Sequence, residues 1–216
     1  YAKSVEKLAV TVKGDWKHSS GLIQRLAHAS HLEVKFVEGA QDEILIGDVS
    51  LRLSSGESVD LDYVNQKVIL MDWHADWAQA KAIPVVASAA CSEADQSVVD
   101  ILFIGMHVIP LWTQDHAGLY VLRTISMLVN EACEAVLHGI ASEQDIDSAM
   151  KYGVNYPQGP FQWAEKIGYN TISQILKNLY RVYGEERYRP SIYLAKKAAR
   201  GQVQNSPQSQ QFLIAG

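Results

Sequence analysis

The chain has 216 residues, a length that fits one large domain or two small ones. Apolar residues make up 48% of the sequence, which is enough to build a core and excludes a disordered chain. The net charge of −5 argues against nucleic acid as the main partner, because phosphate binding requires a basic surface.

The N-terminal sequence and the apolar stretches indicate a protein without a membrane segment. The uncharged stretch 101–112 is shorter than the ~18–20 residues that span a bilayer. Charges at Lys3, Glu6 and Lys7 argue against a signal peptide. Cys91 and Cys133 lack metal-ligand spacing, so reduced thiols and a cytoplasmic location are expected.

The first part of the chain is predicted to be an α/β mixture. Alternating or continuous apolar runs predict short strands, and Ser92 is a candidate helix N-cap. Pro84 lies in one of these runs and is expected at a strand start or at a sheet edge. The predicted strands are 8–12, 32–37, 43–46, 49–53, 67–71 and 83–87, and the predicted helices are 22–29 and 93–102.

A local cluster of carboxylates and histidine occurs in the segment 72–76 (Asp-Trp-His-Ala-Asp). Asp72, His74 and Asp76 suit either an acid/base or metal site, or a loop of solvated charges. We favour the loop, because the sequence offers neither a further metal ligand nor a nucleophile beside them.

The second part is predicted to be helical throughout. In 119–137 apolar residues recur every three or four positions, as in an amphipathic helix, and Gly139 follows as a stop signal. Ser142 opens a capping box for the next helix, and Gly153 is expected to end it in a left-handed conformation.

Three further helices are predicted after a rigid turn at 154–160. The first covers 161–167 and stops at Gly168, and the second is capped by Asn170 and ends at Gly184. The last covers 191–200 and is followed by a loosely ordered tail, 201–216.

Three motifs of the helical part occur in a characteristic order and spacing. They are Asn-Glu-Ala at 130–132, the segment 142–150 and Tyr-Pro-Gln-Gly-Pro at 156–160. Together they resemble the C-terminal domain of 3-hydroxyacyl-CoA dehydrogenases. The segment 183–191 is similar to the bacterial branch that acts in phenylacetate breakdown, with 3-hydroxyadipyl-CoA or 3-hydroxybutyryl-CoA dehydrogenase activity.

The resemblance implies a fold class and a division of the chain. A reduced Rossmann-like α/β domain is expected over 1–114, and the all-α C-terminal domain of the family over 115–200. The family oxidises 3-hydroxyacyl-CoA with NAD, so acyl-CoA and NAD are implied for the full-length parent. A homodimer is also implied, since the helical domain of the family commonly dimerises.

The chemistry of the family is missing from this sequence. No Gly-x-Gly-x-x-Gly turn for a dinucleotide is present, nor is the family's His-Phe-Phe-Asn-Pro-type segment. Leu122 occupies the position of the family's asparagine, although the following Arg123 is kept. We therefore expect no catalytic, cofactor-binding or metal-binding residue, and an inactive C-terminal fragment whose NAD-binding half lies upstream of Tyr1.

The motif residues remain candidates for an interface or structural role. For Arg123, Asn130 and Glu131, a buried polar network or a solvated stripe is favoured over an interface or a substrate channel. An alternative hypothesis is a stand-alone, non-enzymatic dimerisation or acyl-CoA-binding module. The full candidate set is Arg123, Asn130, Glu131, Asp147, Asn155, Tyr156, Pro157, Gly159 and Pro160.

Overall fold

The structure is a computed structural model that describes residues 7–204. The chain divides into two compact units, Tyr1–Leu122 and Arg123–Gly216. The predicted domain boundary between 114 and 115 stays a prediction. None of the helices in the described range is long and apolar enough to cross a membrane.

The first unit contains a mixed seven-stranded sheet in the order β2-β1-β3-β4-β5-β6-β7. The pairs β1–β2, β4–β5 and β6–β7 are parallel, and the other three neighbouring pairs are antiparallel. The strands are β1 (Leu8–Lys13), β2 (Leu32–Val37), β3 (Glu43–Ile46), β4 (Val49–Leu53), β5 (Val68–Met71), β6 (Ala82–Ala87) and β7 (Ile109–Trp112).

The two faces of this sheet are covered to different extents. Helices α1 (Ser20–His28) and α3 (Glu93–Gly105) supply apolar side chains to the main core on one face. The other face holds a smaller cluster of Val59, Val68, Leu70, Val86 and Leu119, to which the short helix α2 (Val59–Asp62) contributes. The sheet therefore has one fully built core and one partial core.

The predicted strands occur in the structure, with two differences in the sheet. β7 was not predicted, and the expectation for Pro84 was wrong, since β6 is paired on both sides. Pro84 fits an inner strand because pairing with β5 starts at Val85, and the Pro84 carbonyl accepts a hydrogen bond from the Asp72 N–H. The missing N–H of proline therefore faces the carbonyl of Asp72, the residue just after β5, and removes no bond within β5.

The second unit is helical. A short 3₁₀ turn, Glu186–Tyr188, lies between its last two helices. Gly139, Gly168 and Gly184 have positive φ at the helix ends, as their positions predict. The helices are α4 (Val121–Leu137), α5 (Glu143–Gly153), α6 (Pro160–Ile167), α7 (Tyr169–Tyr183) and α8 (Ile192–Gln204).

Three helix-end predictions were wrong. Gly153 is the last residue of α5, and Asn155 takes the left-handed conformation with φ 59°. Asparagine tolerates this region because its side chain is short and polar. Asn170 lies inside α7, which starts directly after Gly168. Helix α8 continues through 201–204, where a loose tail was expected, and 205–216 lie outside the described residues.

Candidate functional site

Helix α5 carries two aspartates of the family motif, and they act at different helix ends. Ser142 is the N-cap of α5, and its hydroxyl accepts the N–H of Asp145 at 3.2 Å. The Asp147 carboxylate instead accepts the N–H groups of Phe161 at 2.8 Å and Gln162 at 3.2 Å. Asp147 on α5 therefore caps the N-terminus of α6, where a helix favours negative charge.

Gly159 is the residue that allows this cap. A Cβ atom at Gly159 would lie 2.2 Å from Asp147 Cγ and 2.2 Å from its Oδ1. Pro160 follows as the first residue of α6, where the missing N–H of proline costs no hydrogen bond. The structure thus brings together Asp147, Gly159 and Pro160 in one helix-capping arrangement.

The turn before Gly159 contains the other motif residues. The Tyr156 N–H donates to the Met150 carbonyl at 3.2 Å, and its ring lies 5.6 Å from that of Trp163. Asn155 and Pro157 are exposed. Tyr156 therefore contacts both neighbouring helices, α5 through its N–H and α6 through its ring.

Arg123 on α4 lies against a pair of aromatic rings that contact each other, with the Tyr183 and Tyr188 ring centres 5.4 Å apart. Its guanidinium carbon lies 4.9 Å from the Tyr183 ring centre and 5.2 Å from that of Tyr188. The guanidinium also donates to the hydroxyls of both tyrosines. These contacts with two aromatic rings are stabilising and immobilise the arginine.

Asn130 lies seven residues further along α4 and binds the same connection between α7 and α8. Its Nδ2 donates to the Arg189 carbonyl at 2.9 Å, and its Oδ1 accepts the Ser191 N–H at 2.7 Å. Asn130 is 4% exposed, whereas its neighbour Glu131 is exposed. Arg123 and Asn130 thus hold the segment 183–191, and Glu131 takes no part in it.

In the segment 72–76, one residue differs from the prediction of a loop of solvated charges. His74 and Asp76 lie in a loop in which His74 Nδ1 accepts the Asp76 N–H at 3.1 Å. Asp72, however, is fully buried, so describing it as a solvated charge was wrong. Among residues 7–204 there is no group of three or more His, Cys, Asp or Glu side chains that could hold a metal ion.

The Asp72 carboxylate accepts four backbone N–H groups. They belong to Trp73, Tyr120, Val121 and Leu122, at distances between 2.7 and 3.0 Å. Burial raises the pKa of Asp72, while these four donors act in the opposite direction. The role of Asp72 was missed, and its signal in the sequence is a carboxylate directly after a continuous apolar strand.

Leu122 is buried, with 3% of its surface exposed, and its N–H is one of the four donors to Asp72. Its side chain has no polar atom, so it offers neither a hydrogen-bond donor nor an acceptor to a thioester. The side chain at the position expected to match the family's asparagine therefore has no hydrogen-bonding group.

The carboxyl ends of β1 and β4 lie at the kind of sheet edge where open α/β sheets bind ligands. The cavity at this edge is lined by Asp15, Asp42 and Glu57, together with Arg52 and Tyr63. A wall with three acidic residues disfavours a pyrophosphate, and no glycine-rich turn follows β1. The residues at this edge do not fit the pyrophosphate of NAD.

Comparison with known families assigns both parts of the chain. A model described as "3-hydroxyacyl-CoA dehydrogenase, C-terminal domain" matches residues 118–212. A model described as "3-hydroxybutyryl-CoA dehydrogenase reduced Rossmann-fold domain" matches residues 51–116. The predicted fold class, a reduced Rossmann-like part followed by an all-α domain, is confirmed.

Several characterised proteins and structures are similar to parts of the chain. The 3-hydroxyadipyl-CoA dehydrogenase of Escherichia coli K12 is 50% identical over 84 residues, which cover 39% of this chain and 18% of that protein. The 3-hydroxybutyryl-CoA dehydrogenase of Clostridioides difficile is 29% identical over 163 residues, covering 76% of this chain and 58% of that protein.

A crystal structure of 3-hydroxybutyryl-CoA dehydrogenase from E. coli K12 has a TM-score of 0.71 at 32% identity. The alignment covers 77% of this chain and 35% of that one. The chain therefore spans less than two thirds of the length of these relatives. The two domain matches and these similarities identify a 3-hydroxyacyl-CoA dehydrogenase-like protein, in which residues 51–116 match the reduced Rossmann-fold domain and residues 118–212 match the C-terminal domain.

Proposed function

We propose that this chain is the C-terminal part of an NAD-dependent 3-hydroxyacyl-CoA dehydrogenase. The full-length protein oxidises 3-hydroxyacyl-CoA to 3-oxoacyl-CoA by hydride transfer, and this part contributes structure and dimerisation. The observation that carries the proposal is Leu122, a buried apolar residue at the position of the family's asparagine. The carboxylate-lined edge of the sheet supports the same view, because it does not suit a dinucleotide.

The proposal is tested by supplying the chain with NAD and 3-hydroxybutyryl-CoA. We expect no NADH absorbance and no calorimetric binding of NAD. The variant Leu122→Asn should remain inactive, because the asparagine alone supplies neither the cofactor site nor the acid/base pair. Turnover or saturable NAD binding by the 216-residue chain refutes the proposal. The reading frame that contains the Tyr1 codon supplies a second test, since it should encode a Gly-x-Gly-x-x-Gly turn upstream.

A homodimer through the second unit is part of the proposal. Three large apolar side chains of the second unit are strongly exposed. Ile140, which follows α4, is 75% exposed, and Tyr152 and Val154, at the end of α5, are 84% and 56% exposed. Exposed apolar surface of this kind favours self-association. Light scattering should give twice the monomer mass, and the double variant Ile140→Lys, Tyr152→Lys should give a monomer.

The matched control for the dimer is Leu61→Lys in the first unit, which replaces a side chain that is 64% exposed. This variant should remain dimeric if the second unit forms the interface. A wild-type chain that stays monomeric at high concentration contradicts the dimer. In that case the inactive-fragment proposal is judged by the NAD and turnover measurements alone.

A further inference from the structure

The sheet of the first unit has two outer strands, β2 and β7, and they differ in how well they are protected against pairing with a further strand. β7 has four residues, and the Ile109 and Thr113 N–H groups donate to the carbonyls of Lys81 and Val85 on the β6 side. Backbone groups alternate along a strand, so Pro110 occupies a position that faces outwards, where a proline blocks pairing. β2 has six residues and no proline. One edge of the sheet is therefore blunted and the other is open.

The open edge of β2 presents the backbone groups of Leu32, Val34 and Phe36. β1 and β2 are parallel with Leu8 opposite Leu32, and the Leu8 N–H donates to the His31 carbonyl at 3.0 Å. In such a ladder the odd-numbered residues of β2 bind β1, and the even-numbered residues face away from it. Within residues 7–204 β2 is the last strand of the sheet, so these even-numbered residues have no strand beside them.

The side chains of this edge form a self-complementary pattern about Val34. Glu33 and Lys35 flank it and are exposed. Leu32 and Phe36 come next, and Phe36 is 53% exposed although it is apolar. If two copies of β2 run antiparallel with Val34 opposite Val34, Glu33 of each copy faces Lys35 of the other, and Leu32 faces Phe36. One two-fold contact thus forms two ion pairs and gives both exposed phenylalanines an apolar neighbour.

The backbone and the charges select the same register. Antiparallel hydrogen-bonded pairs require outward-facing groups on both strands, so Val34 can lie opposite Leu32, Val34 or Phe36. Pairing Val34 with Leu32 places two copies of Glu33 opposite each other, and pairing it with Phe36 does the same for Lys35. Both arrangements are destabilised by like charges. The register centred on Val34 is the one that pairs opposite charges.

We propose that β2 is an interface between two copies of this chain, which pair antiparallel about Val34 and join two seven-stranded sheets into one. This contact is separate from the one proposed for the second unit, and it does not depend on the dehydrogenase activity. Two six-residue strands form a contact at the small end of protein interfaces, so we expect a dissociation constant of about 100 µM. At about 10 µM or below most of the contact is dissociated, so the light-scattering test of the second unit is run there.

The test is sedimentation equilibrium of the whole chain carrying Ile140→Lys and Tyr152→Lys, up to about 500 µM, five times the expected constant. This chain should dimerise as its concentration rises. Adding Glu33→Lys, or adding Lys35→Glu, makes both cross-strand pairs like-charged, and each change should weaken the dimer at least about tenfold. An equimolar mixture of these two variants has opposite charges at both pairs again and should dimerise.

The mixture also controls for folding, because a misfolded variant would not be rescued by the other one. The matched charge control is Lys81→Glu, which changes the net charge as Lys35→Glu does, at an exposed position just before β6. It should leave the dimer unchanged. A chain that stays monomeric at about 500 µM overturns the proposal. A dimer that survives both charge reversals, or a mixture that remains monomeric, overturns it as well.

Discussion

The contact between Asp147 and Gly159 predicts that Gly159→Ala strongly destabilises the second unit. The new Cβ would lie 2.2 Å from the Asp147 carboxylate and 2.5 Å from Asp147 Cβ, closer than real Cβ contacts allow. The carboxylate must move away, and it then loses its hydrogen bonds to Phe161 and Gln162. At about 1.5–3 kcal/mol for each bond to a charged group, the expected loss is about 3–6 kcal/mol.

The assay is urea unfolding followed by far-UV circular dichroism, with Gly153→Ala as the matched control. Gly153 is helical, and a Cβ there meets nothing within 4 Å. The control should therefore gain about 0.5–1 kcal/mol from helix propensity. A Gly159→Ala variant that loses less than about 1 kcal/mol refutes the reasoning, because destabilisation by a broken cap requires more.

A double-mutant cycle with Asp147→Ala separates the cap from general crowding. If Gly159→Ala acts by displacing Asp147, both single changes remove the same two hydrogen bonds. The double variant should then lose less than the sum of the single variants, by at least about 1 kcal/mol. Additivity within about 0.5 kcal/mol means that the two residues act independently.

Three further predictions follow from side chains described above. Asn130→Ala leaves the Arg189 carbonyl and the buried Ser191 N–H without their side-chain partner, so it should cost about 2–4 kcal/mol. It should also speed hydrogen exchange of the Ser191 amide, and unchanged exchange contradicts this prediction. Arg123→Lys loses the planar group that contacts both Tyr183 and Tyr188 and should cost about 1–2 kcal/mol in urea unfolding, whereas Arg200→Lys on exposed surface should cost nothing measurable. For Glu43, burial alone raises the pKa, but hydrogen bonds from Ser50 and Arg52 outweigh it and lower the pKa below 4.5. Its charged form therefore stabilises the fold above about pH 4.5, and that contribution is lost as the pH falls through the folded pKa. Acid titrations of thermal stability should consequently be flatter for Glu43→Gln than for the wild type, and parallel curves exclude this account.

The sequence predicts the strands well because local patterns decide them. Strands β2, β3 and β4 begin and end at the predicted residues, since alternation or β-branched content marks their whole length. The Ser92 cap of α3 also occurs as predicted, with the full reciprocal capping box. β7 escaped prediction because Ile109–Trp112 contains a proline and is too short for a clear period.

The site residues depend on distant parts of the chain, which a local pattern does not reveal. Three of the four N–H groups that donate to the Asp72 carboxylate belong to Tyr120, Val121 and Leu122, about 50 residues later in the chain. Asp147 lies on α5, whereas the two N–H groups that its carboxylate accepts belong to the start of the next helix, α6. The expectation that this chain lacks the family's catalytic asparagine rests on the residue type at Leu122, and it stays a prediction.

The strand order of the first unit has a consequence for how this unit folds. Only β1 and β2 are exchanged relative to chain order, so nearly every strand pairs with a neighbour in sequence. Sheets whose contacts are close in sequence have low contact order and fold faster than those built from distant pairings. The first unit should therefore refold rapidly for a seven-stranded sheet, without a long search for strand partners, and strand-by-strand growth from the β3–β4 hairpin is the route that the connectivity favours.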